Sequence, residues 1–455
     1  MKPNLNLTEG NILRGLSTLA APMLVGALLQ NLQSLIDLFW VGGLGKEAVA
    51  AVAMSGTILM VLFPMLMGVS TGTVALVARA AGGRRFDEAS AAAGQSLIIS
   101  LILGVVIGAI GWFLSDAMFW LLGASPAVTE LGVSYLRISL LGIFTAFMLF
   151  TLSAALQGAG DARTPMYVMA VANILNLGLD PLFIFGWGPV PRMGVAGAAL
   201  ATVLSQAVAA GIVAYILFGA RSHLHVRWAH LKPHAVLAWR ILRIGIPGAG
   251  QMLARSLMGA VLMNLVATCE ALEPARTAAP AAYGVGLRLH MVILMPAFAL
   301  GGAAATMVGQ NLGAGEPARA RHAAWLATAI DAIFMAVAAL LMMAFAPQII
   351  SIFNRDPAVV EIGSHYLRVV SPFYIFASLG IVLGRALNGA GDSMGPMIIT
   401  VVTLWGLQVP LAIHFSHIWQ PATQGIWWAM SAAMLVQGLL VMGWFETGRW
   451  KRLVV

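Results

Sequence analysis

Charge is what this sequence has least of. Of 455 residues only 9% are Asp, Glu, Lys or Arg, with 17 acids against 25 bases. A soluble domain of ordinary composition is about 25% charged. So few charges cannot cover a water-facing surface, which excludes a soluble enzyme. Cysteine is scarcer still. Cys269 stands alone, excluding an intramolecular disulfide and any cysteine-based metal site. His-Glu zinc motifs and clustered acids for metal binding are missing too, so an intramembrane enzyme lacks its usual chemistry.

What fills the chain is apolar. Hydrophobic residues make up 60% and the mean hydropathy is +0.90. At roughly 20 apolar residues per bilayer crossing, this length holds about twelve transmembrane helices. Spans are expected near 15–41, 48–77, 89–114, 128–153, 163–187 and 194–219. Six more follow near 240–268, 279–308, 320–346, 359–386, 394–417 and 423–445. The net charge of +8 fits cytoplasmic loops facing anionic lipid better than nucleic acid.

The chain also repeats itself. Pro126-Ala-Val-Thr-Glu-Leu-Gly-Val-Ser-Tyr-Leu-Arg137 returns as Pro357-Ala-Val-Val-Glu-Ile-Gly-Ser-His-Tyr-Leu-Arg368. Ala155-Leu-Gln-Gly-Ala-Gly-Asp161 returns as Ala386-Leu-Asn-Gly-Ala-Gly-Asp392, both at an offset of 231. Pro22 has a looser counterpart in Pro247. The expected fold is therefore an all-α polytopic membrane protein, with twelve helices in two six-helix lobes. An even number of crossings per lobe relates them by a pseudo-two-fold axis along the membrane normal. The lobes are residues 1–220 and 240–455, joined by a cytoplasmic loop at 221–239.

Basic residues give the orientation. Arg79, Arg84, Arg85, Arg163, Arg221, Arg227, Lys232, Arg240 and Arg243 fall on one side. Arg319, Arg321, Arg385, Arg449, Lys451 and Arg452 join them there, against Lys46, Arg192, Arg276 and Arg355 opposite. Both termini are expected to be cytoplasmic.

Ionisable groups inside a bilayer are costly, about 2.5–3.5 kcal/mol each on insertion scales, and mark function. Asp37 lies in Gln30-Asn-Leu-Gln-Ser-Leu-Ile-Asp37, and Asp180 in Asn176-Leu-Gly-Leu-Asp180-Pro181. Asn176 and Asp180 share a helical face, as do Gln30 and Asp37 two turns apart. Two acids among amides make an oxygen-rich pocket suited to a proton or a hard monovalent cation. The blander alternative bonds each acid to backbone at a kink. Against it, the second half reads Leu407-Gln408-Val409-Pro410 at the matching place, with no acid. Asp331 is a third intramembrane acid, standing alone. Arg255 lies in the seventh span and needs a partner that the sequence does not name. Glu130 and Glu361 repeat near helix starts, where carboxylates favour the dipole. The 25 methionines suit either packing or a cavity tolerant of many shapes.

Together these pieces resemble the multidrug and toxic compound extrusion (MATE) transporters. Pro22…Gln30…Asp37…Val41-Gly42, the Gly-Ala-Gly-Asp turn, Asn176…Asp180-Pro181 and Gly194-Val-Ala-Gly-Ala-Ala-Leu-Ala-Thr202 carry the likeness. It implies a secondary multidrug exporter driven by H⁺ or Na⁺, with no other cofactor, moving amphipathic, cationic drugs as a monomer in the inner (plasma) membrane. By resemblance Asp37 is the coupling acid and Pro22 the bending point of the first helix. Gln30, Asn176, Asp180 and Thr202 complete the pocket, with a sodium site at Asp37, Asp180 and Asn176. Met23, Met60 and Met169 resemble its apolar lining. Where the NorM-like branch has a seventh-helix glutamate, this chain has Arg255, and Ala377 stands at that branch's tenth-helix acid. The resemblance is thus to the DinF-like branch, with coupling in the N-lobe. A lipid or lipid-linked oligosaccharide flippase of related fold is the rival reading.

Overall fold

A computed structural model describes residues 7–188, 190–219, 222–269 and 275–453. Arg221 lies outside them. In a bilayer every backbone polar group must be satisfied within the chain, and apolar runs of this length have helix as their solution. Six helices build the N-lobe: α1 (Ile12–Gly42), α2 (Lys46–Gly82), α3 (Phe86–Leu121), α4, α5 (Arg163–Phe185) and α6 (Val195–Phe218). Helix α4 has two segments, Pro126–Leu141 and Ile143–Gly158, bent by 44°. At the bend Thr145 turns its hydroxyl back to the Gly142 carbonyl at 2.8 Å. The C-lobe repeats the series as α7 (Ala235–Cys269), α8 (Ala275–Gly313), α9 (Pro317–Ala344), α10 (Pro357–Ala390), α11 (Met394–Ile418) and α12 (Ala422–Glu446). Among the described residues eleven helices are long and apolar enough to cross a membrane, and the bent α4 makes a twelfth.

Helix starts follow local chemistry. Asn11 caps α1, its Oδ1 accepting from Leu13 N at 2.8 Å and Arg14 N at 3.3 Å. Asp356 caps α10 through Ala358 N at 2.9 Å. Glu130 and Glu361, expected at helix starts, instead sit exposed in second turns, beyond the free amides of the first turn. The linker is also shorter and more ordered than a free loop. Helix α7 begins at Ala235, and Gln95 of α3 donates to the carbonyls of His230 and Lys232 at 2.8 and 2.7 Å.

The lobes meet near one end, the end that carries the basic residues. There Gly82 packs on the Gln310 backbone and Gly313 on that of Arg79. These are the same two positions exchanged between repeats, so the pseudo-two-fold axis passes between them. A methyl group at either glycine would overlap backbone of the other lobe. Arg79 closes the same seam, donating to Ala390 O at 2.9 Å and Leu453 O at 2.7 Å. Two N-lobe cores toward the far end, around Ile184 and around Phe119, contain no C-lobe residue. The basic end is shut, and the lobes part from each other beyond it.

Arg79 therefore latches the closed end. Hydrogen bonds from charged groups contribute about 1.5–3 kcal/mol, so Arg79→Ala is expected to raise the fraction open at the basic end roughly tenfold. Spin labels at positions 88 and 318, both exposed at that end, in a Cys269→Ser background would report it. An added long-distance population is the expected result.

Candidate functional site

Asp37 and Asp180 come together inside the N-lobe. Asn173, Asn176 and Asp180 follow one face of α5, and all three are buried. Asn176 and Thr202 link the Asp37 and Asp180 carboxyls. Asn176 Nδ2 donates to Asp180 Oδ1 at 3.3 Å and to Thr202 Oγ1 at 3.4 Å. Thr202 in turn donates to Asp37 Oδ2 at 3.4 Å and to Ala198 O at 3.1 Å. Asn173 ties α5 to α1 through Leu29 O at 2.6 Å.

The pocket is under-satisfied. Asp37 Oδ1, Asp180 Oδ2, Asn173 Oδ1 and Asn176 Oδ1 are buried without a donor. Buried polar atoms are ordinarily paired, so these acceptor oxygens suit a proton, a water or a hard cation. Nearest by chemistry to a sodium site are Asp37, Asp180 and Asn176, each contributing one free oxygen.

Gln30 is half-buried and forms no hydrogen bond with the acids. Gln33, one turn from Asp37, is the buried amide on that helix, and its Nε2 is unpartnered. The i,i+4 spacing could have found it in the sequence. Tyr135 was also missed. It is buried beside Val41, Ile184 and Ala198, in the core shared by the helices that carry both acids and Thr202. Its repeat at Tyr366 marked it only as scaffold.

Pro22 lies inside an unbroken α1. Lacking an N–H, it leaves the Thr18 carbonyl without its helical donor. Below it Leu16, Leu19 and Ala20 join the C-lobe core, and Met23 packs on Gly302 of α8. Above it the same helix carries Asp37 into the N-lobe.

A second site lies between the lobes, a cavity of about 160 Å³. Arg255 lines it, and so does Arg385, which the basic-residue count placed only on the cytoplasmic side. Met23, Met60 and Met169, which the resemblance places along the N-lobe pocket, stand outside this inter-lobe cavity: Met23 lies against Gly302, Met60 is 55% exposed and Met169 packs in a core of α2, α3, α5 and α6. Met67 and Met252 supply the cavity's thioethers. Asp331 is fully buried in α9, away from the cavity, and neither carboxyl oxygen has a hydrogen-bond partner. Gly68-Val-Ser-Thr-Gly72 spells a nucleophile turn that the sequence reading passed over. It runs through the middle of α2, where Ser70 bonds Leu66 O at 3.1 Å. The strand-to-helix turn that such a nucleophile needs is not there.

A family model described as MatE matches residues 22–182 and 247–414. The chain is 29% identical over 447 residues to the probable multidrug resistance protein NorM of Thermotoga maritima, covering 98% of this chain and 94% of the relative. It is 30% identical over 440 residues to a protein named FAD transporter in Shewanella oneidensis, covering 96% and 95%. A crystal structure of MATE in the bent conformation superposes with a TM-score of 0.91 at 27% identity, covering 98% of both chains.

Proposed function

The chain belongs to the MatE family of membrane transporters, and from that premise we propose that it is an ion-driven exporter of amphipathic small molecules. Residues 1–220 and 240–455 are the two bodies that rock in alternating access, tethered by 221–239. The basic end, with both termini, faces the cytoplasm. The form described above is then open outward. The coupling species is H⁺ or Na⁺, no other cofactor takes part, and a monomer carries every part required.

The observation that carries this reading is the linkage of Asp37 to Asp180 through Thr202 and Asn176 in a pocket of unsatisfied oxygens. Two carboxylates in one pocket repel unless a proton or cation joins them. Ion occupancy thus changes how tightly α1 is held against α5 and α6. Helix α1 is anchored to the C-lobe below Pro22 and to the acids above it, so a bend at Pro22 couples the pocket to the lobe interface. A ligand can shift such an equilibrium only by its differential affinity for the two states.

Purified protein in liposomes tests this, with a pH gradient and a sodium gradient imposed separately. Accumulation of a fluorescent drug under one of the two gradients is expected. Equal accumulation with and without either gradient would overturn ion coupling. The flippase reading gains from Arg385, because a lipid pyrophosphate needs several guanidiniums. Lipid scrambling that outpaces drug movement in the same vesicles would favour it.

A further inference from the structure

The inter-lobe cavity lies on the pseudo-two-fold axis. Its lining pairs Met67 with Phe298, Phe150 with Ile381 and Gln157 with Asn388, each at the repeat offset of 231. Charge breaks that symmetry. The repeat mate of Arg385 is Ala154, which lines the opposite wall. Arg255 stands eight residues after Pro247, as Gln30 stands eight after Pro22. Both guanidiniums are therefore additions to a scaffold that does without them at the matching places. Arg137, by contrast, repeats as Arg368 and pairs with Asp116 at 2.5 Å.

Among the described residues no acid pairs with the two arginines. No Asp or Glu lines the cavity. Among the described residues neither guanidinium forms an ion pair or a hydrogen bond, and both face the same cavity. Both are half-buried, and holding two unpaired cations at the wall of an intramembrane cavity is costly. Yet the fold accommodates Arg385 specifically. Its guanidinium lies over the Phe298 ring at 5.0 Å, and its stem crosses Gly301, where a Cβ would come within 2.8 Å of it. Beside the arginines a chain of amides runs from Asn388 to Gln251 at 3.4 Å and from Gln251 to Thr400 at 3.2 Å. Asn388 Oδ1 is left unpartnered.

We infer that Arg255 and Arg385 form an anion-binding site, and that the transported ligand is a small organic anion, a phosphate or carboxylate on a planar apolar body. Guanidiniums bind such groups by parallel, charge-assisted hydrogen bonds. Phe298, Phe150, Met67 and Met252 receive the ring. This replaces the cationic substrate class that the resemblance implied. It deepens the export reading and rests on it only for the direction of movement.

Equilibrium dialysis of the purified full chain, with no gradient, separates the two. Three naphthalenes share one ring and carry a negative, a neutral or a positive substituent: 1-naphthyl phosphate, 1-methoxynaphthalene and trimethyl-1-naphthylammonium. The phosphate is expected to bind at least tenfold tighter than the neutral compound, and the ammonium weakest. Arg255→Gln and Arg385→Gln should each weaken phosphate binding tenfold or more and leave 1-methoxynaphthalene within twofold. Should a Gln variant misfold, Arg→Lys keeps the charge but loses the fork, and the wild-type charge series decides by itself. Three equal affinities, an ammonium preference, or Gln variants with undiminished phosphate affinity would overturn the inference. Dihexanoyl phosphatidic acid as competitor identifies the source. Displacement at tenfold lower concentration than 1-naphthyl phosphate assigns a lipid headgroup, and parity or weaker displacement assigns a soluble anion. Failure of gradient-driven export would leave these affinities unchanged.

Discussion

Asp37→Asn is expected to reduce gradient-driven export to the level of protein-free liposomes, a loss of tenfold or more, with insertion and melting temperature kept. Asparagine has the shape of aspartate and still bonds Thr202. What it loses is the ability to exchange charge with an ion. Without that change, ion occupancy no longer distinguishes the two conformations, and the gradient has no purchase on the equilibrium. Asp180→Asn should act alike. The double variant should fall no further, because residues that act as one unit are non-additive. Thr202→Val removes the hydroxyl that links Asn176 to Asp37 by two long contacts of 3.4 Å and leaves both charges, so it should slow export only several-fold, as about 1 kcal/mol implies. Transport assays on the four variants, with melting curves as the control for folding, provide the check. Export by Asp37→Asn at the wild-type rate would remove the acid pair from the mechanism.

How much of this was legible beforehand depended on whether the signal was local. The spans were legible because a long apolar run in lipid has helix as its solution, and the structure moves most boundaries by a few residues. The lobes were legible because the offset of 231 survives in uninterrupted strings. Asp37 and Asp180 were legible because carboxylates inside apolar runs stand out. Nothing in the spacing said that they share one network, since they are brought together by the packing of α1 on α5. Gln33 was within reach of the i,i+4 rule. Tyr135 was not, because its role comes from α4 crossing behind the acids. Arg385 was missed for a different reason. It sits at the end of the 359–386 span, close to the Asn-Gly-Ala-Gly-Asp turn, and counts there as one more basic residue of that side. A π-helical turn at Leu379–Leu383 precedes it on α10, and Gly301 opens room for its stem. Neither feature is a property of the neighbouring sequence.

The other large effect is expected where the lobes close. Gly82 and Gly313 bring opposing backbones into contact around the pseudo-two-fold axis, and these helices are backed by packed neighbours on both sides. A leucine at position 82 cannot turn aside, because its Cβ itself would overlap the Gln310 backbone. The lobes must therefore separate at the basic end. Forced overpacking costs about 1–3 kcal/mol even where side chains can yield, and backbone yields less. A cost of about 3 kcal/mol on the closed form alone would shift the conformational ratio by more than a hundredfold. Gly82→Leu should accordingly hold the protein open at the basic end and stop turnover, while ligand binding persists. Spin labels at positions 88 and 318 should then show the long distance almost alone, where Arg79→Ala shows a mixture. Gly313→Leu, at the repeat-related contact, should reproduce the effect, because the axis makes the two sites equivalent. Normal export by both leucine variants would mean that this seam does not open and close during transport.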